Sequence, residues 1–227
     1  MRLAIVMPVL EEAARVRTAI AAARAHCDDL IVVDGGSRDR TAELASAAGA
    51  RVETVPRAGR GLQLRTGASR AIRAGADVLL FLHADTRLPP TARAGIERAV
   101  DSGAAGGGFL IDFEAAPPLL RRGRVLIDIR TRWLRTPLGD QAQFATTAAY
   151  LACGGFSDLP ILEDLDFIGR LRRQGPISVV EQRATTSSRR FAERGVVRTV
   201  VTNWLIWSLF AAGVKPARLA GLYPLVR

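Results

Sequence analysis

The N-terminal half of the chain is constrained most by a strict alternation. Four short strand-like runs, the apolar Leu3–Met7, Leu30–Val33 and Val78–Leu82 and the more polar Arg51–Val55, are separated by Glu11–Ala25, Arg40–Ala48 and Leu62–Ala74, which have helical composition. Short apolar runs bounded by turn residues read as strands buried in a parallel sheet. Strands joined through helices require crossovers, and these are right-handed. The expected class is α/β, with a mostly parallel central sheet flanked by helices. Pro8 is expected to end the first strand, Ser37 or Asp39 to cap the helix from Arg40, and Gly49 to stop it.

Ligands bind an open α/β sheet at the carboxyl ends of its strands. The four runs deliver to that edge Pro8-Val9-Leu10-Glu11-Glu12, then Asp34-Gly35-Gly36-Ser37, then the basic glycine loop Arg57–Gly61, then His83-Ala84-Asp85. Strand alternation would set His83 and Asp85 on one side. An imidazole and a carboxylate can together hold a divalent cation, and the cation can hold phosphates. A blander reading of Asp85, as a cap for the helix after Pro89-Pro90, fits equally well from this stretch alone. Carboxylates at two strand ends can take hydrogen bonds from a base and a ribose, and a basic glycine loop can approach a phosphate closely. Together these pieces describe a nucleoside-diphosphate pocket without a Walker loop.

The second half is less regular. A helix is expected from Pro90 to Asp101, a strand over Phe109–Phe113 and a helix over Leu119–Leu134 that carries Arg121, Arg122, Arg124, Arg130 and Arg132. Gly139-Asp140-Gln141 reads as a polar turn, Phe144–Ala152 as a strand, Glu163–Gln174 as a helix and Ile177–Val180 as a last short strand. Thr185–Phe191 reads as a polar, basic loop. Thr199–Val214 has no charge and holds Trp204 and Trp207, but falls short of the ~20 apolar residues of a membrane span. It suits a helix packed on the core, a homodimer contact or a shallow membrane contact. With no repeat or linker, one domain is expected over 1–227, with a nucleotide-binding half (1–115), an acceptor and catalytic half (116–190) and a C-terminal helical segment (191–227).

A formal charge of +10, carried by arginine with Lys215 as the only lysine, favours an anionic partner. No aromatic-basic interleaving supports nucleic acid. Pro8 stands where a dinucleotide-binding strand would open Gly-x-Gly-x-x-Gly. Cys27 and Cys153, far apart, form no disulfide framework or zinc site. The N-terminal apolar run is too short for a signal peptide, so a cytoplasmic location is expected, with membrane association as the variant.

These motifs in combination resemble the family 2 glycosyltransferases, whose fold is the GT-A type. Pro8–Glu12 is similar to that family's Pro-x-x-Asn-Glu opening. Ile31–Thr41 is similar to its Val-Val-Asp-Asp-Gly-Ser-x-Asp-x-Thr stretch, and His83-Ala84-Asp85 occupies the place of Asp-x-Asp. Gly154-Gly155-Phe156 with Glu163-Asp164-Leu165-Asp166-Phe167 and Arg170-Leu171 resembles its Gly-Gly-Phe and Glu-Asp-x-Asp-Leu-x-x-Arg-Leu pattern. The loop Gly59–Gln63, Gly139-Asp140-Gln141 and Ser188-Arg189-Arg190 further resemble a small bacterial subgroup linked to arsenosugar biosynthesis and radical-SAM enzymes.

The resemblance implies an inverting, metal-dependent transfer of a sugar from a nucleoside diphosphate, uridine or guanosine, to a hydroxyl acceptor that the sequence does not identify. Pro8, Leu10 and Glu12 would line the nucleoside pocket, with Glu12 on the ribose and Asp34 on the base. Arg60 and Gln63 would lie near base or phosphates, beside His83 and Ala84. Asp85 would bind Mg²⁺ or Mn²⁺. Asp164 would be the general base, with Glu163 beside it. Asp140 and Gln141 would meet acceptor or phosphate, and Arg189 and Arg190 would close over the diphosphate or remain a solvated loop. Glu11, Gly35 and His83 depart from the family pattern, which bears on nucleotide and sugar preference. Two competing classes are a peripheral membrane enzyme using a lipid-linked acceptor and a non-catalytic anion-binding module.

Overall fold

The structure is a computed structural model that describes residues 1–222. The last five residues of the expected C-terminal helical segment lie outside the described residues. In chain order the elements are β1 (Leu3–Val9), α1 (Val16–Arg24), β2 (Asp29–Asp34), α2 (Thr41–Ala47), β3 (Arg51–Thr54), α3 (Arg60–Arg73), β4 (Val78–Phe81) and β5 (Thr86–Arg87). There follow α4 (Ala92–Asp101), β6 (Gly106–Glu114), α5 (Pro118–Leu134), a 3₁₀ turn (Gly139–Gln141), β7 (Phe144–Thr146), α6 (Thr147–Ala152) and α7 (Glu163–Leu171). The chain continues with β8 (Ile177–Ser187), α8 (Arg189–Arg194), α9 (Val196–Ala211) and α10 (Pro216–Leu219).

The sheet order is β3-β2-β1-β4-β7-β6-β8-β5. β1 to β4 are mutually parallel, as the alternation predicts, and β8 runs parallel to β6. β7 is antiparallel to both β4 and β6, and β5 to β8. Side-chain alternation along β1 feeds two cores. Leu3, Ile5 and Met7 pack with Val16, Ile20 and Ile96 on one face, and Ala4 and Val6 with Leu64, Ala68 and Phe167 on the other. α3 lies directly on the sheet at Gly67, where a Cβ would come within 2.4 Å of Val6 Cγ1. An aromatic cluster ties α7 to the end of β4. Phe156 stacks on Phe167 with ring centroids 4.1 Å apart and meets Phe81 edge-on at 4.7 Å.

Several elements differ from the sequence reading. Pro8 does not end β1. It pairs with Val33, and it is accommodated because the β4 side of β1 is matched only as far as Val6. The first helix begins at Val16 rather than Glu11, since Glu11 takes φ 56° and the chain turns there. Asp39 supplies the helix-start hydrogen bond, accepting from the Thr41 N–H at 3.0 Å, while Ser37 turns back toward Asp34. Only Phe144–Thr146 of the strand expected over Phe144–Ala152 is extended. Thr146 then caps α6 by accepting from the Ala149 N–H. β8 is an eleven-residue strand, not four, and a register shift against β6 accommodates Glu181 and Gln182. The expected basic loop is the end of β8 followed by α8. Among the described residues, no helix is long and apolar enough to cross a membrane.

Candidate active site

The carboxyl ends of β1 and β2 are fastened to each other by three side chains. Asp34, buried, accepts from the Ser37 N–H at 3.0 Å and from the Ser37 hydroxyl. Ser37 Oγ in turn accepts from the Glu11 N–H at 2.8 Å. Gln63, buried on α3, donates its amide to the carbonyls of Val9 and Val33, each at 2.8 Å. Gly35 lies against that amide, since a Cβ there would come within 3.1 Å of Gln63 Nε2. The departure at Gly35 thus has a packing reason. Glu12 pairs with Arg15 at 3.3 Å, and Leu10 projects from the strand end, 45% exposed.

β4 ends at Phe81, so His83 and Asp85 stand on a turn and not on the strand. The turn, closed by the Thr86 N–H donating to the His83 carbonyl at 3.1 Å, still sends both side chains into one cavity of about 200 Å³. Asp140, Asp164, Arg60, Arg189 and Arg190 also line it. Asp164, in the first turn of α7, accepts from the Gly139 N–H at 2.9 Å through Oδ2 and from the Leu165 N–H at 2.8 Å through Oδ1. Preceding it, Leu162 holds a left-handed φ of 64°, a strained conformation for a branched residue at the cavity wall.

Burial governs the electrostatics. Desolvation holds His83 down to about 4, against the pull of Asp85 and Asp164, so the imidazole is neutral near pH 7. Desolvation raises Asp140, opposed by Arg130. Glu163 is almost completely buried and raised by desolvation, opposed by its ion-pair partner Arg60.

The cavity therefore brings together His83, Asp85, Asp140, Asp164, Arg60, Arg189 and Arg190. Pro8, Leu10, Glu12 and Asp34 lie beyond it, at the β1 and β2 ends of the same sheet edge. Gln63 and Gln141 are structural in their contacts. Gln141 donates to the Phe109 carbonyl at 2.9 Å and accepts from the Leu138 N–H at 3.0 Å. Arg170, part of the acidic motif's pattern, binds Asp166 at 2.7 Å and the carbonyl of Cys153, bracing the glycine turn.

Two residues that the sequence reading named without a role in the site also belong here. Arg130 donates to Gln141 Oε1 at 2.9 Å, and its guanidinium stacks 4.9 Å from the centroid of Trp207, which lines the cavity. The run of arginines on α5 was visible, but not which one turns inward. A more open groove of about 480 Å³ lies between α4 and β8; its acid, Glu181, is paired with Arg132.

The donor set allows one kind of metal site. Among the described residues, no three His, Cys, Asp or Glu side chains gather to form an all-protein cage. Asp85, lining the same cavity as Arg60, Arg189 and Arg190, instead fits a cation that takes one carboxylate, water and phosphate oxygens, as Mg²⁺ does.

The chain resembles several solved structures in fold. S. aureus TarS, residues 1–349, superposes with a TM-score of 0.64 at 15% identity, covering 83% of this chain and 61% of that one. Glucosyl-3-phosphoglycerate synthase from Mycobacterium tuberculosis, solved with Mn²⁺, UDP-glucose and phosphoglyceric acid, gives 0.61 at 23% identity, covering 90% of this chain and 78% of that one. No protein of curated function matches. The sequence profile described as glycosyl transferase family 2 matches residues 4–154, more than half of the chain. With the cavity of carboxylates and arginines at the carboxyl edge of the sheet, that match identifies the chain as a member of glycosyl transferase family 2.

Proposed function

We propose that the chain is an inverting, metal-dependent glycosyltransferase that moves a sugar from a nucleoside diphosphate to an acceptor hydroxyl. The observation that carries this reading is the shared cavity of Asp85 and Asp164, with Arg60, Arg189 and Arg190 on its walls. The nucleoside would extend from the cavity toward Pro8, Leu10, Glu12 and Asp34. The diphosphate would lie among the arginines, whose forks match phosphate oxygens. Asp85 would hold Mg²⁺ or Mn²⁺, which when bound neutralises charge on the leaving diphosphate.

Asp164 is the proposed general base. The acceptor oxygen forms a bond to the anomeric carbon as the bond to the diphosphate oxygen breaks, and the acceptor proton passes to Asp164. The Gly139 and Leu165 N–H groups fix the carboxylate before the acceptor arrives. Neutral His83 beside it would contact the donor's sugar or ribose. Asp140 would meet the acceptor, while Gln141 supports the turn beneath it. The Mycobacterium tuberculosis synthase was solved with Mn²⁺ and UDP-glucose, which makes UDP the first nucleotide to try. The narrower subgroup resemblance rests on loop motifs and leaves the acceptor open.

The test is transfer and binding together. UDP or GDP with Mn²⁺ should raise the melting temperature, and Asp164→Asn should keep that shift while losing transfer. No shift with either nucleotide would overturn the reading.

A further inference from the structure

α5 and α9 present apolar faces that the rest of the chain does not cover. On α5, Leu119, Leu126 and Trp133 are 54%, 71% and 85% exposed. They stand seven residues apart, so they form one stripe, with Ile129 beside them. On α9, Val197, Val201 and Trp204 are 63%, 59% and 61% exposed and form a second. Arg130 of α5 stacks on Trp207 of α9, 4.9 Å from its ring centroid. At 100° per residue both stand at the margin of their helix's exposed stripe, so the stripes adjoin there. Scattered apolar side chains on a surface are ordinary, but a continuous aromatic and aliphatic face is an interaction site.

Charge selects the occupant. Arg121, Arg122 and Arg198 are exposed on the same two helices, and among the described residues none has an acidic partner. Asp128, the only acid within either helix, is buried and paired with Arg124 and Arg183. Past Glu193 the sequence contains no acidic residue at all. A second copy docked about a twofold axis would set this basic face against itself. An anionic lipid surface meets the arginines with opposite charge and takes the tryptophans at headgroup level. Among the described residues no helix is long and apolar enough to span, and the contact proposed is peripheral.

We propose that α5 and α9 together form a docking face for an anionic lipid surface. Asn203, Ile206 and Trp207 of α9 line the cavity on the flank next to that face. A docked chain therefore holds the cavity rim at the surface, and substrates carried on lipid reach it without leaving the membrane. Only that last consequence rests on the transferase reading.

The test is flotation of the full chain with phosphatidylglycerol vesicles and with phosphatidylcholine vesicles, alongside tryptophan emission and the nucleotide-dependent melting shift. The chain should float with phosphatidylglycerol at low salt, remain behind with phosphatidylcholine, and be released at high salt. Emission should shift to the blue on binding. Trp133→Ser and, separately, Arg121→Glu with Arg122→Glu should each lower the bound fraction roughly tenfold, with melting unchanged because these side chains are exposed. A chain that stays soluble with phosphatidylglycerol at low salt overturns the proposal, as do variants that float like the parent. A dimer in sedimentation that Trp133→Ser dissociates assigns the face to self-association and also overturns it. Flotation without a nucleotide shift would sink the transferase reading and leave the docking face standing.

Discussion

Asp164 Oδ2 and His83 Nε2 both close on Gly139, each 3.2 Å from where a Cβ on that glycine would stand. The two side chains, from elements far apart in sequence, are therefore separated by no more than twice that distance. Gly139 needs no unusual backbone angle, so its lack of a side chain serves clearance. Gly139→Ala should push the carboxylate or the imidazole aside. A contact at 3.2 Å displaces its neighbour by only a few tenths of an ångström, so we expect transfer to fall by about tenfold, less than the loss from a full ångström of misplacement, with little change in melting. Steady-state kinetics and thermal unfolding check this; full activity would mean that Asp164 tolerates displacement and is not the base.

Asp85 and Asp164 share a cavity but should separate cleanly in function. Asp85→Ala should remove the melting shift that UDP and Mn²⁺ produce, about 5 °C or more at a ligand concentration about a hundredfold above Kd. Asp164→Asn should leave it intact and lower turnover by about 10²–10⁴-fold. Calorimetric melts and a coupled nucleotide-release assay distinguish them. Equal loss of binding in both variants would mean that Asp164 holds the donor instead.

His83 gives a pH prediction with a definite sign. The unfolded chain takes up this proton near 6.5 and the folded chain at about 4, because burial disfavours the cation. Between those values the unfolded state binds more protons, so this group's contribution to stability falls as pH drops from about 6.5 to 4 and is constant below. His26, the other histidine, is also held low by burial, so His26→Asn makes the assignment unambiguous. Imidazole resonances of His83 should stay flat in the ligand-free protein until pH approaches 4. A midpoint at or above 6.5 would place the ring in water or against a dominant carboxylate.

The sheet's parallel half was legible because buried strands are written as uninterrupted apolar runs, and Leu3–Val9 and Asp29–Asp34 contain little else. β8 was shortened in the reading because Glu181, Gln182 and Arg183 interrupt its pattern where the register against β6 shifts. Thr146 hid the start of α6, since one threonine is equally good in a strand and as a cap. Asp85 and Asp164 could be named through the family pattern, but their convergence depends on Phe81, Phe156 and Phe167 packing across sequence-distant elements. The roles of Gln63, Gln141 and Arg130 depend on which carbonyls and rings lie opposite them, and neither composition nor spacing carries that information.

Arg60 and Glu163 make the last prediction, because their burial is unequal. Glu163 is 2% exposed in its side chain and Arg60 is 39% exposed. Removing Arg60 leaves a buried carboxylate uncompensated, whereas removing both charges does not. Breaking a fully buried pair costs about 3–5 kcal/mol; solvent screening at the arginine reduces the expected cost of Arg60→Met to about 2 kcal/mol. Burial already raises Glu163, and without Arg60 it rises further. Where the folded state holds that proton and the unfolded state does not, stability falls as pH rises. The loss should therefore be large at neutral pH and shrink toward the unfolded carboxyl value of 4.5. Adding Glu163→Gln to Arg60→Met should recover most of it. Urea unfolding across pH measures both effects, and a pH-independent loss with no recovery in the double variant would show that Arg60 acts through packing and not through its charge.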